Sequence, residues 1–225
     1  SINGMASEEK VILANTIGPD SDAWGQIAGK NQGLFAMVAS IGDQDLMQAI
    51  FLGQDLITNK LQVRLPNDPI VGGYLSDFND VVGDVYLAED KRYVLDATLA
   101  LYAQRGEDYS SGSFEDAIQE VTGGIKEIND YKVQLPRGIS KRHFQDYVER
   151  FSAEDVIAFG GVSGYTPEQA AVAIQDGRIV SDGDNRYRVL VNGSIPLTSP
   201  TGGKFIFSYA QSIASDQSAI KSEEF

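Results

Sequence analysis

The chain of 225 residues contains no cysteine. That absence excludes disulfides, thiolate metal sites and cysteine nucleophiles together, and it identifies no compartment. Histidine is nearly absent too, with His143 alone. Multi-histidine zinc sites are therefore excluded, and any Ser-His-Asp triad would have to run through that one residue. Positive charge is in short supply: 18 Lys and Arg stand against 32 Asp and Glu, a net charge of −14. Sequence-independent binding to nucleic acid or to an anionic membrane needs the opposite sign, so neither partner is expected. The basic clusters are modest, Lys141-Arg142 and the pair Arg186 and Arg188. No run reaches about eighteen uninterrupted apolar residues, so no membrane span is expected. SINGMASEEK lacks the basic-then-apolar order of a signal peptide. Ser1 to Gly4, ahead of Met5, read as the remnant of an expression tag, with a flexible stretch to residue 10.

What is present suits a globular chain: 42% hydrophobic and 9% aromatic residues can bury a core. Helical spacing dominates the first two thirds. Trp24, Ile27, Ala28, Leu34, Phe35 and Val38 follow it across residues 21–40, although Gly25, Gly29 and Gly33 weaken the pattern. Asp43 or Gln44 opens a second helix with a stripe of Leu46, Ala49, Ile50, Gly53 and Ile57. LPNDP at 65–69 reads as a loop. Ser76 and Asp90 are expected to cap the next two helices, the second carrying Val94, Leu95, Thr98, Leu101 and Tyr102 to the core. Gly106 ends it. Ser113 is expected to cap a helix with Phe114, Ala117, Ile118 and Val121 inward and Glu115 and Asp116 in its first turn.

Further along, Phe144, Tyr147, Val148 and Phe151 recur at i, i+3, i+4 and i+7, Ser152 caps a short helix, and Thr166-Pro167 starts one that stops at Gly177. Beyond Gly177 the period becomes two. Tyr187, Val189 and Val191 alternate with Arg186, Arg188 and Leu190, Asn192-Gly193 turns the chain, and Phe205, Phe207 and Tyr209 alternate again. The expected fold class is α+β: a mainly helical body over 11–177, a small antiparallel sheet of about three strands over 178–212 packed on it, and a flexible tail over 213–225.

Few residues suggest chemistry. SPTGGKF lacks the first glycine and the hydroxyl of a phosphate-binding loop, so Gly202-Gly203 reads as a hairpin turn. Gly123-Gly124 follows a helix, whose C-terminal carbonyls repel an anion, so a C-cap is the expected role. SDGDN at 181–185 places Asp182, Asp184 and Asn185 together as a calcium loop would. The sixth and twelfth positions from Asp182 are Tyr187 and Gly193, which fails the pattern and leaves a turn. No nucleophile motif accompanies His143. Glu107-Asp108, Glu115-Asp116 and Glu154-Asp155 fall in loops or first helical turns, and Asp96 lies at the edge of an apolar stripe. No cofactor or metal site is expected, no catalytic residue is assigned, and nothing requires an enzyme.

Five strings in the same order nonetheless carry a resemblance: FLGQDLI at 51–57, ATLALYAQR at 97–105, FEDAIQEVTGGIKEINDYKVQLPRG at 114–138, SDGDNRYRVLVNG at 181–193 and TGGKFIFSY at 201–209. Together they resemble a region of large virion proteins of tailed phages and prophages, internal or ejected polypeptides that often carry a peptidoglycan-hydrolase domain elsewhere. The likeness runs from Trp24 to Tyr209; it departs where Asp130-Tyr131 replaces an expected Asn-Gly turn, and residues after Tyr209 match nothing. The resemblance implies a non-catalytic structural or interaction domain with protein partners. It implies a place in the virion, or in the host cytoplasm during assembly, and carries over no catalytic residue. Two other readings stay open, a glycan hydrolase acting on peptidoglycan through a carboxylate pair and a soluble bacterial binding module.

Overall fold

The computed structural model describes residues 5–18, 32–58, 74–106 and 110–209. The expected α+β class is the observed one, with nine helices among the described residues and two small antiparallel sheets in the C-terminal part. The chain divides after Gly124 into two compact units, residues 1–124 and 125–225. The change of period at Gly177 predicted a later boundary. Three helices before that point instead share a core with the sheet: Phe144, Tyr147, Phe151 and Ile174 are buried with Tyr187, Val189 and Phe207.

The N-terminal unit is helical: α1 (Ser7–Ile17), α2 (Gln32–Ala39), α3 (Gln44–Thr58), α4 (Tyr74–Val82), α5 (Ala88–Arg105) and α6 (Ser111–Thr122). Of the helical stretch expected over 21–40, only residues from 32 onward are described; Trp24, the LPNDP loop and Glu107-Asp108 lie outside the described residues. The stripe of α3 is wider than its spacing suggested, because Met47 and Phe51 are also fully buried. Phe51 stacks on Phe35 of α2, with ring centroids 5.3 Å apart. At Gly53, α3 and α5 come so close that a Cβ there would sit 1.7 Å from the Ala100 carbonyl oxygen. Glycine is obligatory at that crossing, because even an alanine methyl would overlap the Ala100 carbonyl. From α1, the buried Lys10 ammonium donates to the Asp55 carboxylate of α3 at 2.7 Å.

Three helix starts differ from expectation. Tyr74, two residues ahead of Ser76, begins α4; α5 begins at Ala88, after Leu87, whose side chain caps nothing. Asp90 therefore sits in the first turn, where the dipole still favours it. The cap of α6 is Ser110, whose hydroxyl accepts the Ser113 amide while Ser113 answers the Ser110 amide. Two adjacent serines, Ser110 and Ser111, precede Ser113, and the earliest hydroxyl able to reach the third amide takes the cap. Glu115 and Asp116 consequently lie beyond the first turn.

In the C-terminal unit, β1 (Ile125–Ile128) and β2 (Tyr131–Gln134) form a hairpin. Its turn is Asn129-Asp130, one residue earlier than the alignment with Asp130-Tyr131 suggested, with φ of 51° and 68°. Two left-handed residues in succession match the twist of the strands. Then follow α7 (Lys141–Glu149), α8 (Ala153–Ala158), α9 (Pro167–Asp176), β3 (Arg178–Ser181), β4 (Arg186–Val191), β5 (Ile195–Pro196) and β6 (Phe207–Ser208). The expected three strands become four, because Arg178–Ser181 pairs antiparallel with β4. With only four residues, three of them half-buried, β3 has no alternation strong enough to read. β4 also pairs with β5 and β6.

Side-chain caps start α7, α8 and α9, Ser140 on the His143 amide, Ser152 on Asp155 and Thr166 on Gln169. Behind them lies an aromatic cluster: Phe144 meets Tyr187 at 5.0 Å, Tyr147 meets Tyr209 edge-on at 5.0 Å, and Phe151 meets Phe207 at 5.2 Å. Rings at these distances add to area burial through their quadrupoles.

Candidate functional site

Every residue singled out in sequence and described here has a place, and the places are mostly architectural. Gly123, with φ of 84°, is the left-handed C-cap of α6, as expected of a glycine pair behind a helix. Gly202 accompanies a turn in which its amide donates to the Ser199 carbonyl and the Ser199 amide to that of Gly203. The SDGDN stretch turns β3 into β4: Asp184 and Asn185 have φ of 51° and 59°, and the Asp182 amide donates to the Arg186 carbonyl. Asp182 faces Lys204 at 4.0 Å. Among the described residues, no group of three or more His, Asp or Glu is placed to hold a metal ion. No helix among them is long and apolar enough to cross a membrane.

His143 is exposed at the third position of α7, its amide taken by the Ser140 hydroxyl. Asp155 closes the capping box of α8, its carboxylate accepting the Ser152 amide at 2.7 Å, while Glu154, Glu115 and Asp116 are exposed. Asp96, on α5, is half-buried. Partial loss of water raises its carboxyl above the ordinary aspartate range, and the Arg92 charge one turn earlier acts in the opposite direction. No second carboxylate contributes to that shift.

Three residues to which the sequence assigned no long-range contact do more. Asn129, at the hairpin turn, donates from its amide to the carbonyls of Gln175 at 2.7 Å and Gly177 at 3.0 Å. It thereby fastens the hairpin to the end of α9, where helix carbonyls lack internal partners. The Tyr187 hydroxyl donates to the Gln134 carbonyl at 2.7 Å, joining β4 to the same hairpin. Tyr131 lies under the Arg178 guanidinium, 5.1 Å from ring centroid to charge. The signal for Asn129 was present, since Asn favours left-handed turns; its reach to residues 46 and 48 positions away was not.

The feature with most chemical character is the outer face of the four-stranded sheet. Ile179, Tyr187, Val189 and Phe207 point into the core and are at most 1% exposed. Period two then puts Arg178 and Val180 of β3, with Arg186, Arg188 and Leu190 of β4, on the other face. Register sets Arg178 opposite Leu190 and Arg188 opposite Val180. Each cation faces an aliphatic side chain rather than another cation, which avoids direct like-charge pairing. The two arginines noted in sequence, Arg186 and Arg188, thus share a surface with Arg178, which strand β3 brings alongside. In comparisons with known proteins, no protein-family model, no curated protein and no solved structure matches the chain.

Proposed function

We propose that the chain is a non-enzymatic structural and interaction domain of a phage or prophage virion protein, serving virion assembly or the delivery of DNA or protein. The observation that carries this reading is the use made of its polar residues. Asp155, Gln169, Asn129, Ser140, Ser152 and Thr166 are engaged in caps and turns that fix the C-terminal unit. Side chains spent on caps and turns present a rigid surface to a partner. The phage assignment is supported by the ordered resemblance of the five sequence strings.

A peptidoglycan glycan hydrolase is the competing reading, and Asp96 favours it, as a carboxyl raised by partial burial suits a general acid. That mechanism needs a second carboxylate about 5 to 10 Å away. A zymogram of the purified chain on peptidoglycan decides between the two. No clearing is expected; clearing that disappears in Asp96→Asn or in another single carboxylate variant would overturn the non-enzymatic reading.

A further inference from the structure

The charge of the chain is unevenly distributed. Residues 1–124 hold 19 acidic and 7 basic residues, whereas residues 125–225 hold 13 and 11. The C-terminal unit is thus close to neutral overall, and its sheet concentrates cations on one face. Arg186 is exposed; Arg178 and Arg188 are half-buried, and the register sets the half-buried aliphatic side chains Leu190 and Val180 opposite them. Acids also border this face: Asp182, opposite Lys204, the exposed Asp184 of the turn, and the exposed Asp130 next to Tyr131.

The arginines are held differently. Arg178 is steadied by the Tyr131 ring beneath it. The Arg188 Nε–H is buried and finds no hydrogen-bond acceptor among the described residues. A buried donor without an acceptor costs about 1–3 kcal/mol; because this Nε is closed to solvent, a partner carboxylate reaches it only after the side chain shifts. Spacing adds a further constraint. Arg186 and Arg188 are two residues apart on one strand, about 7 Å. Arg178 and Arg188 are diagonal neighbours across the ladder, about 7–8 Å.

We propose that this face docks an acidic segment of a partner protein, in extended conformation, whose carboxylates at alternate positions repeat at the Arg186–Arg188 spacing. The planar guanidinium fork matches a carboxylate with two parallel hydrogen bonds, and the aliphatic side chains of Val180 and Leu190 accept the methylene stems of Asp or Glu. The inference names the partner chemistry of the interaction domain proposed above and rests on that reading.

The test titrates the full chain with an oligo-glutamate peptide, by calorimetry at low and at physiological salt. Inorganic phosphate and a short DNA duplex serve as competing probes. Binding that weakens with salt is expected, and the double variant Arg186→Gln, Arg188→Gln should weaken it about tenfold or more, roughly 1.4 kcal/mol. Arg188→Lys, which keeps the charge and loses the fork, should recover only part. Lys141→Gln with Arg142→Gln, on α7, should leave the affinity unchanged. An equal loss in that control pair, no binding of the peptide, or tighter binding of phosphate or duplex would overturn the proposal. Those outcomes leave the non-enzymatic reading standing, whereas peptidoglycan clearing would strike that reading and leave the arginine face intact.

Discussion

Ser140, Ser152 and Thr166 each start a helix of the C-terminal unit with a side-chain oxygen on a backbone amide, while Ala6 and Leu87 start two helices of the N-terminal unit with no side-chain oxygen. The interiors differ in the same sense. Residues 125–209 gather their rings into one cluster, built on Phe144, Tyr147, Phe151, Tyr187, Phe207 and Tyr209. The N-terminal unit has the close approach at Gly53 and an ion pair between the buried Lys10 and the half-buried Asp55. The contrast is one of degree. Ser110 caps α6 and the Asp43 carboxylate accepts the Leu46 amide at the start of α3. The N-terminal unit thus also uses local signals, but two of its described helix starts lack a side-chain cap. Agreement between local preference and final packing is what smooths a folding landscape.

The sharpest way to break this contrast is inside the ring cluster. Phe144 is fully buried between Tyr187 and Tyr209. Phe144→Ala should cost about 4 kcal/mol, seen as loss of amide-exchange protection in β3, β4 and α9; retained protection there would show that the cluster is not what holds the unit. Next comes the ion pair. Asp55→Ala strands a buried ammonium and should cost about 3 kcal/mol in urea unfolding. Replacing both partners, Lys10→Met with Asp55→Leu, should restore most of it. If the double variant is no better than the single, the pair is not a matched unit.

Capping offers a smaller and opposite test. Leu87 is 79% exposed and occupies an extended cap position, so Leu87→Asp should stabilise by about 1 kcal/mol. Thr166→Ala should lose a similar amount. Equal responses of both sites to thermal melting would erase the difference between the units.

The smallest effect is expected at Asp96. Its carboxyl is raised in the folded chain, so the ionised form is the one that folding penalises. Stability at this site therefore falls as pH rises from the ordinary aspartate value through the folded one, and the penalty is complete above both. Asp96→Asn should raise the melting temperature slightly at pH 7, and the gain should vanish below the ordinary aspartate range. A gain independent of pH would point to helix propensity instead.

Legibility followed the same division. Thr166-Pro167, Ser152, Gly177 and the Phe144 stripe could be read in sequence because cap, proline and spacing all act within a few residues. Ser76 and Asp90 misled, since a good capping residue inside the first turn looks the same in sequence as one at the cap. β3 was missed because four residues with mixed exposure carry no period. The strand matters beyond itself: without Arg178–Ser181 beside β4, Arg186 and Arg188 remain a pair on a ribbon, and the arginine face has no second row. Nothing in the spelling of Tyr131 or Arg178 indicated that they would stack, because 47 residues separate them and only the hairpin clasp brings them together.

That clasp has a consequence for synthesis. The Asn129 side chain is fastened to carbonyls that belong to residues 175 and 177. A ribosome adding about 5–20 residues per second delivers those acceptors some seconds after the hairpin has emerged. A two-stranded hairpin alone is marginal in water. During that interval β1 and β2 form and dissolve repeatedly, and their position becomes fixed when α9 ends. The end of α9 is what retrospectively secures the first strand.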